Sequence, residues 1–411
     1  MANAFQMVDW MCMEALDSLL NKLSIANNFN TDYNKEFDRE FAVGDTVRVK
    51  LPQRYTIRDG AMYSPQPLNR VYTTVKCDQP FGIDFEWDSF EKALRMERGE
   101  AALKREYIDP AVDQIAQEID SRAALFAYQN TNNIVGVLGT DPASFDASSA
   151  AARQRLVELG CPTNDRICAV PPSVMRALKA SAVSYFNPNT DIAKQFRTGI
   201  VGSGDGFEWY ESVSLYSHTA GTWAGAVTVS GAGQSGSSLV VACTTGDTFN
   251  QGDVISIANV NPVNPSTRRK VGSSTKQFTI TASTVGASSA ATLSISPAIF
   301  GPGSQYQNVD ALPANTAALT LFSGTSSPSG KSGVNGLAFQ RDAFALVGVS
   351  LEEPKGSVEV CRQIRDENTG IAIRFLRQFD GRTSKMINRF DVLMGFGLLY
   401  PDSCSVRILG A

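Results

Sequence analysis

Apolar and polar residues alternate in two runs near the start of the chain, 43–51 and 71–77. Val47, Val49 and Leu51 occupy every second position of the first run, and the second run has the same period. A period of two is typical of strands with one buried face. Proline and glycine residues separate the two runs, so the segment is predicted to fold as one long two-stranded hairpin.

Such a hairpin would be too long to stand alone. Strands of ~10–15 residues extend ~35–50 Å at ~3.3 Å per residue, and an isolated two-stranded ribbon is at best marginally stable in water. We therefore expect the hairpin to lie on another surface. The alternative is an ordinary hairpin that covers its own domain.

A third alternating run, 81–87, predicts another strand directly after the hairpin. Asp88 and Glu91, three residues apart, form a plausible capping box, so a helix is predicted to begin there. Gly99 is expected to interrupt it.

A second and longer helix is predicted from Asp109 and Pro110, which supply an N-cap and a proline at the first helical position. Running to about Gln129, this helix would be ~30 Å long. Its apolar stripe consists of Ile108, Val112, Ile115, Ile119, Ala123 and Phe126. The other face carries Asp113, Gln117, Glu118, Asp120 and Arg122. This is the pattern of an amphipathic helix laid on a sheet.

The middle and the end of the chain mix helical and strand patterns. Helical and apolar pieces alternate at 150–159, 167–170 and 173–182, and strands are predicted at 207–216, 344–349, 371–379 and 390–399. Asp380-Gly381 is a good turn between the last two strands. The fold class predicted is therefore α+β.

The composition changes sharply between residues 221 and 340. This segment contains eight charged residues and no glutamate, although the whole chain has 78 charged residues, 37 basic and 41 acidic. Short alternating runs at 227–229, 254–257, 278–281 and 293–295 predict strands of a sandwich or barrel. The richness in Ser, Gly and Thr leaves a disordered linker as the alternative. We interpret the segment as an inserted β-domain.

Length and composition exclude several classes of protein. A chain of 411 residues is expected to form two or three domains. Its net charge of -4 argues against a protein that binds nucleic acid mainly through phosphates. No run is apolar enough to span a bilayer, and the N-terminus lacks the pattern of a secretory signal. Seven scattered cysteines without a CxxC pair predict reduced thiols and no zinc site.

No motif predicts catalysis or a cofactor. The run 324–332 nearly spells a phosphate-binding loop, but it has five residues between its glycines and includes Pro328. The run 199–206 is better interpreted as a tight loop than as a dinucleotide fingerprint. The only histidine, His218, is predicted to be structural, and the adjacent Glu352-Glu353 would face opposite sides of a strand. We predict no catalytic, metal-binding or cofactor-binding residues.

Two basic clusters are candidates for contacts between subunits. The first lies on the hairpin and consists of Arg48, Lys50, Arg54 and Arg58. The second, in the loop 259–272 of the charge-poor segment, consists of Arg268, Arg269 and Lys270. Each cluster could pair with acidic residues of a neighbouring subunit or could simply be a solvated face.

The order of these elements resembles a family, the coat proteins of short-tailed phages related to the Salmonella phage coat protein that carries an inserted β-domain. The resemblance rests on the hairpin start at 44–49, the runs 252–260 and 276–280 of the insert, and the C-terminal run 388–396 with Tyr400-Pro401. It covers nearly the whole chain through short structural motifs. The Lys–Asn cross-link of some relatives has no recognisable counterpart here.

The resemblance implies the tailed-phage major capsid shell fold with an inserted all-β barrel-like domain. The expected parts are an N-terminal arm (1–42), an extended β-hairpin arm (43–80), a peripheral domain with a spine helix (81–135 and 370–411), an axial domain (136–221 and 336–369) and the inserted β-domain (222–335). It also implies hexamers and pentamers of an icosahedral shell that encloses double-stranded DNA. A scaffolding protein and a portal would be partners, and contact with DNA would be weak and non-specific, with no membrane partner.

The hypothesis is therefore a non-enzymatic major capsid protein, assembled in the host cytoplasm and located in the virion. One alternative is another phage structural or adhesive protein whose β-insert binds a receptor or sugar. A second alternative is a nucleotide-dependent enzyme built on Lys331.

Overall fold

The computed structural model describes residues 2–33, 46–55, 57, 60–62, 65–66, 71–88, 107–140, 142, 146–176, 203–272, 274–321, 330–352, 354, 360–366, 369–400 and 402–410. The chain divides into two compact units. Unit 1 comprises Met1–Val49, Tyr72–Ala123 and Phe344–Leu399, and unit 2 comprises Lys50–Val71, Ala124–Ala343 and Tyr400–Ala411. Asp88, the first residue of the predicted capping box, is the last residue of a strand, whereas Glu91 and Gly99 lie outside the described residues.

The helices are α1 (Ala2–Lys22), α2 (Asp109–Asn130) and α3 (Ala151–Glu158). Short helical turns occupy Ala26–Asn28, Asp146–Ala150 and Arg341–Ala343. The strands are β1 (Thr46–Lys50), β2 (Tyr72–Asp88), β3 (Asn133–Val135), β4 (Arg166–Val170), β5 (Ser203–Gly204), β6 (Phe207–Glu211), β7 (Ser217–Thr219), β8 (Thr228–Val229), β9 (Gly236–Ala242), β10 (Thr248–Phe249), β11 (Val254–Ile257), β12 (Gln277–Ile280), β13 (Thr284–Val285), β14 (Ala290–Ile299), β15 (Leu319–Leu321), β16 (Ser332–Gln340), β17 (Phe344–Gly348), β18 (Val360–Arg365), β19 (Ala372–Asp380), β20 (Lys385–Leu398) and β21 (Ser405–Leu409).

Unit 1 is built on a six-stranded sheet with the order β1-β2-β20-β19-β18, in which β17 also pairs with β20. The hairpin predicted around Asp380-Gly381 is confirmed as β19 and β20. Helix α1 packs against β18 and β19. Phe29, just after α1, packs with Phe344 and Phe396 at ring-centroid distances of 5.2 and 6.3 Å. The apolar core of the unit therefore lies between this N-terminal segment and the sheet.

Two strands that were predicted separately, at 71–77 and 81–87, are one continuous strand, β2. It pairs with β20 along most of its length, and the register shifts between Lys76 and Gln79. Gly82, which sequence patterning placed inside the second run, stays in the ladder opposite Asp391. The prediction of a break was wrong because the partner strand β20, which is distant in sequence, pairs with residues on both sides of the shift.

The hairpin strands lie in the sheet of their own unit. Val47, Val49, Val75 and Cys77 are all buried, as the period of two predicts, and the Leu51 amide donates to the Val71 carbonyl at 3.0 Å. For the strands themselves, the alternative of a hairpin that covers its own domain is therefore correct. The described residues of the connection between them, 51–55, 57, 60–62, 65–66 and 71, belong to none of the strands of this sheet.

The close approach of β2 and β20 requires a glycine at position 395. A Cβ atom on Gly395 would lie 1.9 Å from the carbonyl oxygen of Lys76. Gly395→Ala is therefore expected to reduce the free energy of unfolding by ~1–3 kcal/mol, because backbone must move to relieve the overlap. Urea denaturation of unassembled subunits measures this. Gly381→Ala, in the turn where nothing lies within 4 Å, is the control, and equal effects of the two substitutions would contradict the prediction.

Helix α2 confirms the predicted amphipathic spine, with one correction. It spans Asp109–Asn130, and its stripe is buried from Ile108 to Ala123, whereas Phe126 is half-buried. Asp120, which lay in the polar face of the pattern, is only 4% exposed. Its carboxylate accepts hydrogen bonds from the residues that follow α1, and these bonds compensate for its burial.

Unit 2 contains a second sheet with the order β3-β21-β16-β4-β6-β5, in which β7 also pairs with β16. Helix α3 packs against β21 and β3. The helical piece predicted at 150–159 is confirmed as α3, and the apolar piece at 167–170 is strand β4. The piece at 173–182 is described only as far as residue 176. The strand predicted at 207–216 is shorter, since β6 ends at Glu211 and β7 begins at Ser217.

The charge-poor segment of unit 2 folds into a barrel. Its six strands have the order β15-β11-β12-β14-β9-β8. The Val229 amide donates to the Ala317 carbonyl and the Leu319 amide donates to the Val227 carbonyl, both at 2.9 Å. These bonds join β8, at one end of the strand order, to β15, at the other end. Leu239, Val241, Phe249, Ile255, Phe278 and Leu293 are completely buried in its core. The four predicted strands are confirmed, and the alternative of a disordered linker is wrong for the described residues. The five-part domain division stays a prediction.

Candidate assembly interface

The structure brings two of the predicted cationic residues, one from each basic cluster, to the same loop of unit 2. The Nη2 atom of Arg268 donates to the carbonyl oxygen of Gln305 at 2.9 Å. The side-chain amide of Gln305 donates in turn to the carbonyl oxygen of Arg54 at 2.7 Å. The guanidinium carbon of Arg54 lies 5.9 Å from the ring centroid of Tyr306, within the range of a cation–π contact.

The loop that carries Arg268 is held in one conformation by Asn264. The Asn264 side-chain oxygen accepts hydrogen bonds from the amides of Ser266 and Thr267 at 2.9 and 3.2 Å, which is an Asx-type turn. The Asn264 carbonyl accepts from the amide of Arg268, and its amide donates to the carbonyl of Arg269. These bonds fix the backbone, so that Arg269 and Lys270 are exposed beside Arg268.

The opposing loop, between Phe300 and Asn308, is also rigidly built. Asn308 is buried; its side-chain oxygen accepts from the Phe300 amide at 2.9 Å, and its side-chain nitrogen donates to the Ala298 carbonyl at 2.7 Å. The rings of Phe300 and Tyr306 lie 6.5 Å apart. The loop thus presents aromatic surface next to the cations.

Four of the residues in the two predicted clusters therefore lie at one place in unit 2. From here on, "the basic cluster" means these four residues, Arg54, Arg268, Arg269 and Lys270. In the part of the chain that the structure describes, none of these four side chains forms an ion pair with a carboxylate. Burying a cation without a carboxylate or hydrogen-bond partner is costly. A partner that covers this cluster therefore needs acidic groups that face it.

The remaining candidates are placed differently. Arg48 and Lys50 are exposed on the outer face of β1, alternating with buried Val47 and Val49. Arg58 lies outside the described residues. Within unit 2, the structure places Arg54 with the loop that contains Arg268.

His218 is part of a buried polar network. Its Nε2 lies 2.8 Å from an Asp253 carboxylate oxygen, and its ring lies 5.1 Å from that of Tyr128. Asp253 also accepts from the amides of Gly221 and Asn250 at 3.1 and 2.8 Å. Burial raises the pKa of the Tyr128 phenol, an effect partly offset by the charge of Arg407. The arrangement supports the structural role predicted for this histidine.

The described parts of the two runs that resemble nucleotide-binding motifs, 324–332 and 199–206, do not lead into the helix that each motif requires. Ser332, where the helix of a phosphate-binding loop would begin, starts the nine-residue strand β16. Residues 322–329 lie outside the described residues. The end of the other run is the two-residue turn Asp205-Gly206, which joins the antiparallel strands β5 and β6, as the tight-loop interpretation predicts. Among the described helices, none is long and apolar enough to cross a membrane.

Comparison with known proteins gives a family match that spans the chain. A family model described as "P22 coat protein - gene protein 5" matches residues 1–410. No curated protein matches the chain.

Solved structures give more distant similarities. One described as Mycobacterium phage Che8 is 14% identical, with a TM-score of 0.48 over 95% of this chain and 92% of that chain. The capsid structure of the cyanophage P-SCSP1u is 11% identical, with a TM-score of 0.41 over 91% and 85%. The bacteriophage PhiM1 mature capsid is 12% identical, with a TM-score of 0.41 over 90% and 82%.

The family model decides membership because it matches almost every residue of the chain. The chain belongs to the P22 coat protein family, and it is a major capsid protein that forms the shell of a bacteriophage.

Proposed function

We propose that the chain assembles as hexamers and pentamers of an icosahedral shell around double-stranded DNA, and that the basic cluster and the connection 51–71 contact neighbouring subunits. The subunit acts as a structural element without catalysis. A scaffolding protein and a portal take part in assembly in the host cytoplasm, and contact with the packaged DNA is weak, as the net charge of -4 suggests.

The observation that carries the proposal is the exposed apolar surface of the connection 51–71. Tyr55, Ile57 and Met62 are 65%, 89% and 86% exposed. Three large apolar side chains within eight residues are unfavourable in water and are typical of a surface that becomes covered on association. Arg54, directly before them, belongs to the basic cluster, so apolar and cationic surface adjoin.

The basic cluster adds specificity to this contact. Its guanidinium and ammonium groups have no carboxylate partner among the described residues, and acidic groups of a neighbouring subunit would complete them. Charge pairs at the rim of an interface set orientation and partner choice more than affinity. We therefore expect charge reversal here to impair closed-shell formation more than subunit folding.

The test is the double substitution Arg269→Glu/Lys270→Glu, in which both side chains are exposed. Expressed with scaffolding protein, the variant is expected to yield several-fold fewer closed shells, because the reversed charges repel the acidic partner. Sedimentation and negative-stain microscopy count the shells, and circular dichroism of the unassembled subunit checks its folding.

Arg341→Glu is the matched control, since Arg341 is an exposed cation of the same unit outside the cluster. Normal shell yield from the double variant would overturn the contact assigned to the basic cluster. In the same micrographs, fibres or small discrete oligomers of the parent protein would favour the adhesive alternative.

A further inference from the structure

Gln305 is bonded to both segments that carry the basic cluster. Its carbonyl oxygen accepts a hydrogen bond from Nη2 of Arg268 at 2.9 Å, and its side-chain amide donates to the carbonyl oxygen of Arg54 at 2.7 Å. Arg54 lies 251 positions away in sequence. Gln305 is uncharged and belongs to no motif, so nothing in the sequence singles it out.

The loop 300–308, which carries Gln305, is fixed by its own hydrogen bonds. Gly303 has φ +87, a conformation that glycine adopts without steric cost. The Ser304 amide donates to the Gly301 carbonyl at 3.3 Å, which closes a turn directly before Gln305. These bonds do not involve the connection 51–71. The side chain of Gln305 therefore starts from a backbone that is already in place, and it can act as a fixed donor.

The start of the connection is held differently. Residues 51–55 belong to no helix or strand, so no ladder of backbone hydrogen bonds fixes their path. Gln305 bonds to this stretch at the backbone carbonyl of Arg54, and a bond to the backbone restrains the direction of the chain. Tyr55 and Ile57, which follow, are the exposed apolar residues described above. Their position beside the basic cluster thus depends on the bond to Gln305.

We propose that Gln305 is a positioning residue for shell assembly, which holds the start of the connection on the loop 300–308 before a neighbouring subunit arrives. The inference rests on the proposed function, because the position of the connection matters only if the connection contacts a neighbour. A segment that is ordered before association loses less conformational entropy when the contact forms. Gln305 thereby favours assembly without touching the neighbouring subunit itself.

The substitution Gln305→Ala tests this role, because it removes the side-chain donor and leaves the carbonyl that Arg268 uses. In unassembled subunits, amide hydrogen exchange in peptides that cover residues 54–57 is expected to accelerate several-fold, since local opening is no longer opposed by this bond. The subunit concentration required for shell formation with scaffolding protein is expected to rise several-fold. The urea midpoint is expected to stay at the parent value, because the side chain of Gln305 is half-buried and outside the core.

Two variants isolate the donor. Gln307→Ala is the matched control on the same loop, since the side-chain amide of Gln307 donates to the nearby Val309 carbonyl at 3.0 Å; exchange in residues 54–57 and assembly are both expected to match the parent. Gln305→Lys keeps a long side chain that can donate to the Arg54 carbonyl, and it is expected to recover most of the loss. Equal losses in Gln305→Ala and Gln305→Lys would show that the donor is not responsible.

A further variant separates this inference from the proposed function. Ile57→Ser removes an apolar side chain of the connection, at a position that is 89% exposed, and leaves Gln305 unchanged. Poor assembly of Ile57→Ser together with parental exchange or parental assembly of Gln305→Ala would overturn the positioning role alone. Normal assembly of Ile57→Ser and of Arg269→Glu/Lys270→Glu would overturn the subunit contact, and the positioning role with it.

Discussion

Replacing Arg407 with alanine is expected to lower the free energy of unfolding by ~3–5 kcal/mol, the range observed when one partner of a buried charged contact is removed. Arg407 lies in the middle of β21 and is 1% exposed. Its guanidinium donates to the Thr131 carbonyl through Nε and Nη2 at 3.0 and 2.6 Å, and to the Gly252 carbonyl through Nη1 at 2.8 Å.

The effect is large because two kinds of interaction disappear together. Alanine leaves the Thr131 carbonyl buried without its side-chain donor and leaves the Gly252 carbonyl with only the long bond from the Tyr128 hydroxyl at 3.4 Å. It also opens a cavity beside Tyr128, whose ring centroid lies 4.3 Å from the guanidinium carbon. Burial lowers the pKa of Arg407, while Tyr128 and Asp253 raise it. We take the guanidinium to remain charged, as arginine does in proteins.

Urea denaturation of unassembled subunits measures the loss. Arg341→Ala, at an exposed arginine of the same unit, should change stability by less than ~0.5 kcal/mol. Arg407→Lys should recover only part of the loss, because an ammonium group cannot reproduce the planar fork of donors. If Arg407→Ala unfolded at the same urea concentration as the parent, the buried network would be unimportant to folding.

Replacing Asp120 with alanine is expected to cost ~2–4 kcal/mol and to release the segment after α1. One carboxylate oxygen accepts from the amide and hydroxyl of Ser24 at 2.8 and 2.7 Å, and the other accepts from the amides of Ile25 and Ala26 at 3.1 and 2.9 Å. Hydrogen bonds to a charged group contribute ~1.5–3 kcal/mol each. The amides of Ile25 and Ala26 lie at the start of the helical turn Ala26–Asn28, where amides have no acceptor within the turn itself, and the Asp120 carboxylate supplies that acceptor.

Limited proteolysis gives a local readout of this loss. Cleavage within residues 22–33 should accelerate at least tenfold in Asp120→Ala, because local opening depends on the same bonds. Asp113→Ala is the matched control on the same helix, since Asp113 is half-exposed and its partner among the described residues is the side chain of Lys22. Equal cleavage rates in the two variants would show that Asp120 does not anchor the segment.

Local patterns predicted most of the elements. The strands β11, β12, β17 and β19, the helix α2 and the Asp380-Gly381 turn follow from periods of two and 3.6 and from capping residues, because these signals depend on neighbours in sequence. The family match confirms the capsid fold and function that the order of elements suggested. The basic residues could be identified from the sequence, but the position of Arg54 beside the loop that contains Arg268 could not be predicted from it.

Contacts between distant residues decided the rest. A polar residue on a helix face is normally interpreted as solvated, and nothing near Asp120 in sequence indicates that the amides of residues 24–26 surround it. The same holds for Arg407, whose acceptor on Thr131 lies 276 positions away. Burial of a charge becomes acceptable only when a partner is present, and that partner is supplied by the tertiary fold.

The sequence alone indicated an α+β fold with a charge-poor β-rich segment, because periodicity and composition are local properties. Its resemblance to phage coat proteins implied the role of a shell subunit. Only the tertiary structure decided that β2 is continuous, that the segment closes into a barrel, and that Arg54 meets the Arg268 loop at Gln305. Each of these depends on which residues become neighbours when strands far apart in sequence pair, and no local pattern encodes that choice.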